Sequence, residues 1–425
     1  MVITFTKTQM ESITDWYDLL IVGAGTAGLT AAIIAARQNL RVLVLEKGSK
    51  VGPLPRGESM AYFPLEDEIL GKGFIEGIMT VGPSFRRYHS PMDKKQTLVD
   101  VHTPYRFFPW HPFIERFEQK AIAAGASILT GVEVLVPIIS PSGICIGVQC
   151  KNAQEESHEY FALSTIGADG HSSVIGQSFG VDYSTINCPI VKFLGDNAQV
   201  DISKTPNPQF FMLSPGQLEI APHFPPAAAY YFPIGGNKIE AGLMLRMGQV
   251  SKMKNINQPS NEEIMKVWAF LKAQYPGFSS VFTDIKVEYE GLTQMPNARM
   301  VEHFILGKGG AVLVGDSAGF VDANGSSGLY YGMKMAAEWV GILSVPINQV
   351  QETDSNFSQK INDIWKNANR EEYENNFRKT DVYKHIKTSY KLIGLSETLI
   401  FRWIKTAKGL NNIWGLFSFM IKSAS

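Results

Sequence analysis

Three short stretches of this 425-residue chain carry glycines and acids at spacings suited to holding phosphates and hydroxyls. The first is Gly23-Ala24-Gly25-Thr26-Ala27-Gly28, with Glu46 about 20 residues further on. Gly23 suits a tight turn, Gly25 lets a backbone approach a pyrophosphate, and Gly28 lets a helix pack closely on a strand. The free N–H groups at the start of the next helix favour negative charge. A carboxylate at Glu46 can accept both ribose hydroxyls and disfavours a 2′-phosphate. The second stretch is Gly167-Ala168-Asp169-Gly170-His171-Ser172-Ser173, and the third runs from Gly315-Asp316 to Gly328-Leu329-Tyr330-Tyr331. The eight histidines show no HxxE or HExxH spacing and Cys145, Cys150 and Cys188 none that suits a metal, so no metal site is expected.

These groups need a specific scaffold. Residues 18–23 (DLLIVG) read as a buried parallel strand, 29–39 as a helix rich in small residues, and 41–46 (RVLVLE) as a second strand. That β-α-β order is what a dinucleotide site requires. A strand over 159–166 leads into the second stretch, and the apolar run GGAVLVG leads into the third. Residues 186–290 lose the α/β rhythm. The runs QFFML, AAAYYFPI and KIEAGLMLRM, separated by Pro and Gly, predict an antiparallel sheet forming one wall of a substrate cavity.

Together the three stretches resemble the ordered motifs of the p-hydroxybenzoate-hydroxylase-like FAD proteins. That resemblance implies FAD as cofactor, with Asp316 on the ribityl hydroxyls and the following helix start at the pyrimidine edge of the ring. Gly325, Gly328 and the serines between them permit close approach. No second GxGxxG is present, so reduction requires an external donor, NAD(P)H or a reduced electron carrier. Within the superfamily, Gly319-Phe320-Val321-Asp322 and Gly328-Leu329-Tyr330-Tyr331-Gly332-Met333 are similar to the GFVDPxxGxGIYYAM run of the geranylgeranyl reductases. Tyr230-Tyr231-Phe232-Pro233-Ile234-Gly235 partly matches their YxWxFPKG stretch, and Arg56-Gly57-Glu58 their RCGE without its cysteine. An FAD-dependent oxidoreductase that reduces C=C bonds of a prenyl or other hydrophobic substrate is therefore implied. The candidate cofactor set is Gly23, Gly25, Thr26, Ala27, Gly28, Glu46, Lys47, Arg56, Asp169, Gly315, Asp316, Gly325, Ser327, Gly328 and Leu329. Tyr230, Phe232, Tyr330 and Tyr331 are candidates for the cavity wall, and Arg86, Arg87 and Arg106 for a phosphate or carboxylate headgroup. No protein group is assigned as catalytic.

A flavin-dependent monooxygenase is the alternative. A halogenase is disfavoured: Gly57-Glu58-Ser59 and Ser326-Ser327-Gly328 echo that family, but the residues after Gly73-Phe74 are IEGIM, without its lysine, and its tryptophan block is missing. The expected fold is α/β, a Rossmann-type FAD-binding domain with an antiparallel-sheet substrate domain and a C-terminal helical segment. The expected boundaries are 1–53, 109–185 and 291–345 for FAD, 54–108 and 186–290 for substrate, and 346–425 for the C-terminal region.

Composition limits the partners. A net charge of -1 offers no global field for nucleic acid, and the cysteine count and absent apolar leader point to a cytoplasmic protein. Charge is uneven, however: from Arg378 onward nine basic residues face two acidic ones, a net +7. Phe401, Trp403, Trp414, Phe417 and Phe419 interleave with them. This segment reads either as a helix capping the core with a solvated basic face or as a peripheral membrane contact.

Overall fold

The computed structural model describes residues 1–52, 54, 56–89, 98–199, 208–213, 218–245, 258–323 and 327–404. Two large sheets organise them. The first holds nine strands, with Ser157–Gly167 at its centre. The second half of that strand lies parallel to Tyr17–Val22 on one side and to Ala311–Leu313 on the other. Tyr17–Val22 continues in parallel to Val42–Glu46 and then Ser127–Thr130. Because both faces are covered, the central strands read as continuous apolar runs, and Leu19 to Val22 are buried. The first half of Ser157–Gly167 turns away to pair with Cys145–Lys151 in an antiparallel extension.

Helix Thr26–Arg37 packs on this sheet through an almost entirely small or aliphatic face, Gly28 to Ile33, Ala35 and Ala36. The long helix Leu329–Gln351 crosses it. A Cβ built on Gly332 would stand 3.4 Å from the Gly315 Cα and 3.7 Å from the Ala27 Cβ, so three small residues from separate segments meet at one point. The far end of the long helix is anchored as well, where Gln351 Nε2 donates to Asp18 Oδ2 at 2.6 Å.

The second sheet runs in the order Lys286–Pro296, Asn187–Asp196, Ile239–Leu245, Ala227–Pro233, Gln209–Leu213, Ser84–His89 and Leu98–Thr103. Its pairings are antiparallel except Gln209–Leu213 with Ser84–His89. Helix Asn261–Gln274 covers one face through Ile264, Val267, Trp268 and Leu271. The opposite face carries Ile190, Leu194, Met244, Ala228, Tyr230 and Phe232, buried beneath Val81 and Phe107. A two-stranded ribbon, Gly57–Met60 with Arg106–Pro109, lies between the sheets.

After the long helix come helices Phe357–Ile364, Asn367–Lys379 and Asp381–Ile404. Trp365 ties them to the first sheet, its Nε1 donating to the Leu163 carbonyl at 2.9 Å. The protein is thus α/β, with a Rossmann-type sheet, an antiparallel sheet and C-terminal helices. Among the described residues no helix is long and apolar enough to cross a membrane. Of the basic and aromatic C-terminal group, Lys405, Lys408, Trp414, Phe417, Phe419 and Lys422 lie outside the described residues.

Candidate active site

A cleft of about 450 Å³ opens between the nine-stranded sheet, the start of helix Leu329–Gln351 and the strands Asn187–Asp196 and Lys286–Pro296. Its upper rim is the first glycine stretch. Gly23 has φ +98°, and a Cβ there would lie 2.5 Å from the Ala168 carbonyl oxygen. Gly28 is tighter still, with a Cβ position 2.1 Å from the Gly23 oxygen. Gly25 differs: it caps helix Thr26–Arg37, lines the cleft, and a Cβ would meet nothing within 4 Å. The open space beside a helix N-terminus is where an anionic phosphate is favoured. Thr26 and Ala27 continue this rim. Glu46 also lines it, its Oε2 accepting from Ala24 N at 2.9 Å and its Oε1 from Gly48 N at 2.8 Å. The backbone therefore fixes the carboxylate, and each oxygen keeps a lone pair for a hydroxyl.

The third stretch forms the floor. Gly315 takes φ +63° and turns the chain so that Asp316 faces the cleft. Desolvation pushes the Asp316 carboxyl up to about 6, against a smaller opposing pull from Arg56, and among the described residues no hydrogen bond offsets it. Gly328 and Leu329 line the same wall, and a Cβ on Gly328 would press within 2.9 Å of Asp316 Oδ1. A buried carboxylate facing the cleft, an open phosphate position at a helix N-terminus and a backbone-held acid at the rim fit the ribityl, pyrophosphate and ribose parts of FAD.

Several candidates fall elsewhere. Asp169 is not among the lining residues: its Oδ2 caps helix Val174–Ser178, accepting from Val174 N at 2.7 Å and Ile175 N at 3.3 Å. Its neighbour His171 does line the cleft, held below the ordinary histidine range first by burial and then by the charge of Lys47. Lys47 itself is exposed and outside the lining set. Ser327 is buried behind the cleft wall, its backbone bridged to Asp322. Gly325 lies outside the described residues.

Arg56 lines the cleft, stacked 3.8 Å over the Trp110 ring and paired with Glu58 at 2.9 Å. Beside it stands a pair that sequence reading did not single out. Lys192 Nζ lies 2.5 Å from Glu240 Oε1, while Glu240 Oε2 accepts from Gly57 N at 2.5 Å. Burial, the largest single influence, works against the ammonium, but Glu240, Tyr230 and Glu58 together outweigh it and hold Lys192 above the ordinary lysine range. Lys192 is thus a fixed positive charge on the cleft wall and a poor proton donor near neutral pH. A lone Lys in NCPIVKFLGD and a lone Glu in IEAGLML were the available signal, because an unpaired charge in an apolar strand is costly.

The four aromatic candidates are not on the cleft surface. Tyr230 and Phe232 stack on each other at 6.1 Å in the apolar layer behind it, with Phe232 also against Phe107 at 4.9 Å. Tyr330 packs edge-on against Phe63 at 4.3 Å, and Tyr331 hydrogen-bonds His385 Nε2 at 2.8 Å. Two of the three headgroup arginines are already engaged. Arg106 is buried between Glu66 at 2.5 Å and Glu76 at 2.6 Å, and Arg87 holds Asp100 through two bonds of 2.8 and 2.9 Å. Among the described residues Arg86 has no acidic partner, unlike the other two.

Comparison with known proteins points to the same cofactor. The FAD binding domain family model matches residues 18–54, the β-α-β unit and the acid that ends it. Digeranylgeranylglycerophospholipid reductase 2 of Methanococcoides burtonii is 24% identical over 378 residues, covering 87% of this chain and 84% of the relative. The chain is an FAD-dependent oxidoreductase similar to the geranylgeranyl reductases. Among solved structures, a geranylgeranyl bacteriochlorophyll reductase-like protein from Thermoplasma acidophilum superposes on the oxidoreductase with TM-score 0.65 at 17% identity, covering 94% of this chain and 95% of that one. The flavin-dependent brominase Bmp2 gives TM-score 0.59 at 15% identity, covering 92% and 93%. At these identities the structural matches establish a shared fold.

Proposed function

We propose that the protein saturates carbon–carbon double bonds of a prenyl or comparably hydrophobic substrate. The observation that carries this reading is the apolar wall of the cleft. The cleft that fits FAD is lined by Ile190, Phe193, Leu194 and Met295, an apolar surface suited to an isoprenoid chain and backed by the buried aromatic layer of Tyr230 and Phe232. FAD, when bound and reduced, supplies hydride for an alkene. The chain's own residues would do the rest. Gly23, Gly25 and Gly28 let the backbone approach the pyrophosphate, and Glu46 and Asp316 accept ribose and ribityl hydroxyls. Lys192 keeps its proton at Nζ and places a positive charge on the cleft wall, which favours negative charge nearby. The apolar layer of Tyr230, Phe232 and Phe107 excludes water from the substrate side. The named activity of the archaeal relative, acting on a digeranylgeranylglycerophospholipid, supports a lipid substrate.

Electrons would arrive from NAD(P)H or a reduced carrier, as no second dinucleotide fingerprint exists in the sequence. The basic, aromatic C-terminal segment would bring the protein to the lipid. Anaerobic incubation of the photoreduced holoenzyme with prenyl alcohols, diphosphates and glycerophospholipids, followed by mass spectrometry, tests the reading. A gain of two hydrogens per saturated bond is expected; no gain with any chain type would refute it.

A further inference from the structure

The third stretch, which floors the cleft, is gripped from two sides. Asp316, Val321, Gly328 and Leu329 line the cleft. Gly319, Asp322, Ala323 and Tyr331, interleaved with them, meet helix Asp381–Ile404 on the far side. Tyr390 Oη donates to the Gly319 carbonyl at 2.8 Å, and Ala323 N donates to Ser389 Oγ at 3.1 Å. Tyr331 Oη hydrogen-bonds His385 Nε2 at 2.8 Å, their rings stack at 4.8 Å, and Asp322 Oδ1 stands 3.8 Å from the same nitrogen.

The helix sequence is built for this contact. His385 and Ser389 are four residues apart, as are Ile386 and Tyr390, so all four share the face on the floor. Lys384, Lys387 and Lys391 are exposed on the opposite face. Ser389 is buried, and its Oγ donates to the Ile386 carbonyl at 2.9 Å, which turns a lone pair toward Ala323. The floor, for its part, needs outside support. Close approach to a ligand requires glycine and small residues, and glycine leaves many backbone conformations open unless hydrogen bonds close them. Gly319, at φ +63°, closes the turn through its N–H to the Asp316 carbonyl at 3.0 Å, while Tyr390 holds its oxygen. The backbones of Asp322 and Ser327 bridge at 3.2 and 3.4 Å, next to Gly328, and Ser389 holds the adjoining Ala323. Each cleft residue is thus one or two bonds from the helix.

We propose that His385, Ser389 and Tyr390 are positioning residues for FAD, holding the floor in its flavin-accepting shape so that cofactor binding and docking of the C-terminal helix are coupled. None of the three lines the cleft, so each acts through the floor. Such coupling is reciprocal: the factor by which the docked helix raises FAD affinity is the factor by which bound FAD favours docking. The inference rests on the cofactor alone and is independent of the substrate.

Two measurements on the full-length protein test it. Hydrogen exchange of the amides in 381–392 should slow by about tenfold when FAD is added. Titration of the flavin-free protein, followed by flavin fluorescence, should show FAD bound about fivefold more weakly by Tyr390→Phe, and at least about tenfold more weakly once Ser389→Ala is added. Tyr383→Phe makes the same chemical change in the same helix, but removes a hydrogen bond from Arg378 Nη1, at 2.8 Å, on the preceding helix. It should leave FAD affinity unchanged. A double variant that binds FAD as tightly as the unaltered protein overturns the proposal. So do equal losses in the two Tyr→Phe variants, since any loosening of the helix would then serve. Should the double variant not fold, the exchange measurement decides: rates indifferent to FAD overturn the coupling.

Discussion

Asp316 presents a carboxyl group to the cleft with no hydrogen-bond donor among the described residues, so its charge depends on what fills the cleft. With its folded value raised to about 6, above the ordinary 3.8, the flavin-free protein holds this proton between those two limits. The group's contribution to stability therefore declines as pH rises through that window and is constant above it. Ribityl hydroxyls donate more strongly to the ionised form, so FAD affinity should fall as pH drops below about 6, by at most about tenfold per unit for one proton. Flavin fluorescence titrations at stepped pH would show this, and Asp316→Asn should flatten the profile. A slope unchanged by the substitution would assign the proton elsewhere. The arginines give a second residue-scale lesson. Arg86, Arg87 and Arg106 are indistinguishable in the sequence, and only the fold reveals that two of them are matched to acids 13 to 40 positions away.

At the scale of elements, the glycine turn and the helix it feeds behave as one piece. Gly28→Ala would drive a methyl group to within 2.1 Å of the Gly23 backbone oxygen, which cannot swing aside as a side chain could. Helix Thr26–Arg37 must then lift from the strand. The purified variant should carry little flavin, read as the ratio of visible to protein absorbance, even where it folds. The Arg106 cluster links a different set of elements: ribbon strand Arg106–Pro109 to helices Pro64–Leu70 and Phe74–Ile78. Removing one partner of a buried ion pair strands the other, so Arg106→Ala should cost about 3–5 kcal/mol in denaturant unfolding. These two cases also mark what was legible beforehand. The turn, its helix and Glu46 could be read because their chemistry is local in sequence. The Lys192–Glu240 pair could not, because it is set by the register of strands 48 residues apart, in which Leu194 faces Glu240. Alternation in AAAYYFP correctly implied a strand but could not tell which layer would cover Tyr230 and Phe232.

For the whole molecule, the uneven charge is the property with consequences for location. A segment of net +7 with interleaved aromatics should draw the protein to anionic lipid. Sedimentation with vesicles containing phosphatidylserine should exceed that with neutral vesicles, and the difference should shrink as salt is raised. Removal of residues 405–425 should reduce it; equal sedimentation with both vesicle types would leave the segment as a solvated cap.

The nine-stranded sheet also imposes a schedule. Strand Tyr17–Val22 and the glycine turn emerge early, yet Ala311–Leu313 and Asp316 are made nearly 300 residues later. At about 5–20 residues per second, a ribosome needs roughly 15–60 s to travel from one to the other. In the latter part of that interval, once Ser157–Gly167 is made, its edge lacks the Ala311–Leu313 neighbour, and the pocket for flavin has a rim without a floor. Cofactor loading is thus a late event in the life of each new chain, and a nascent protein stalled before residue 311 would be expected to need a chaperone rather than flavin to keep it from aggregating.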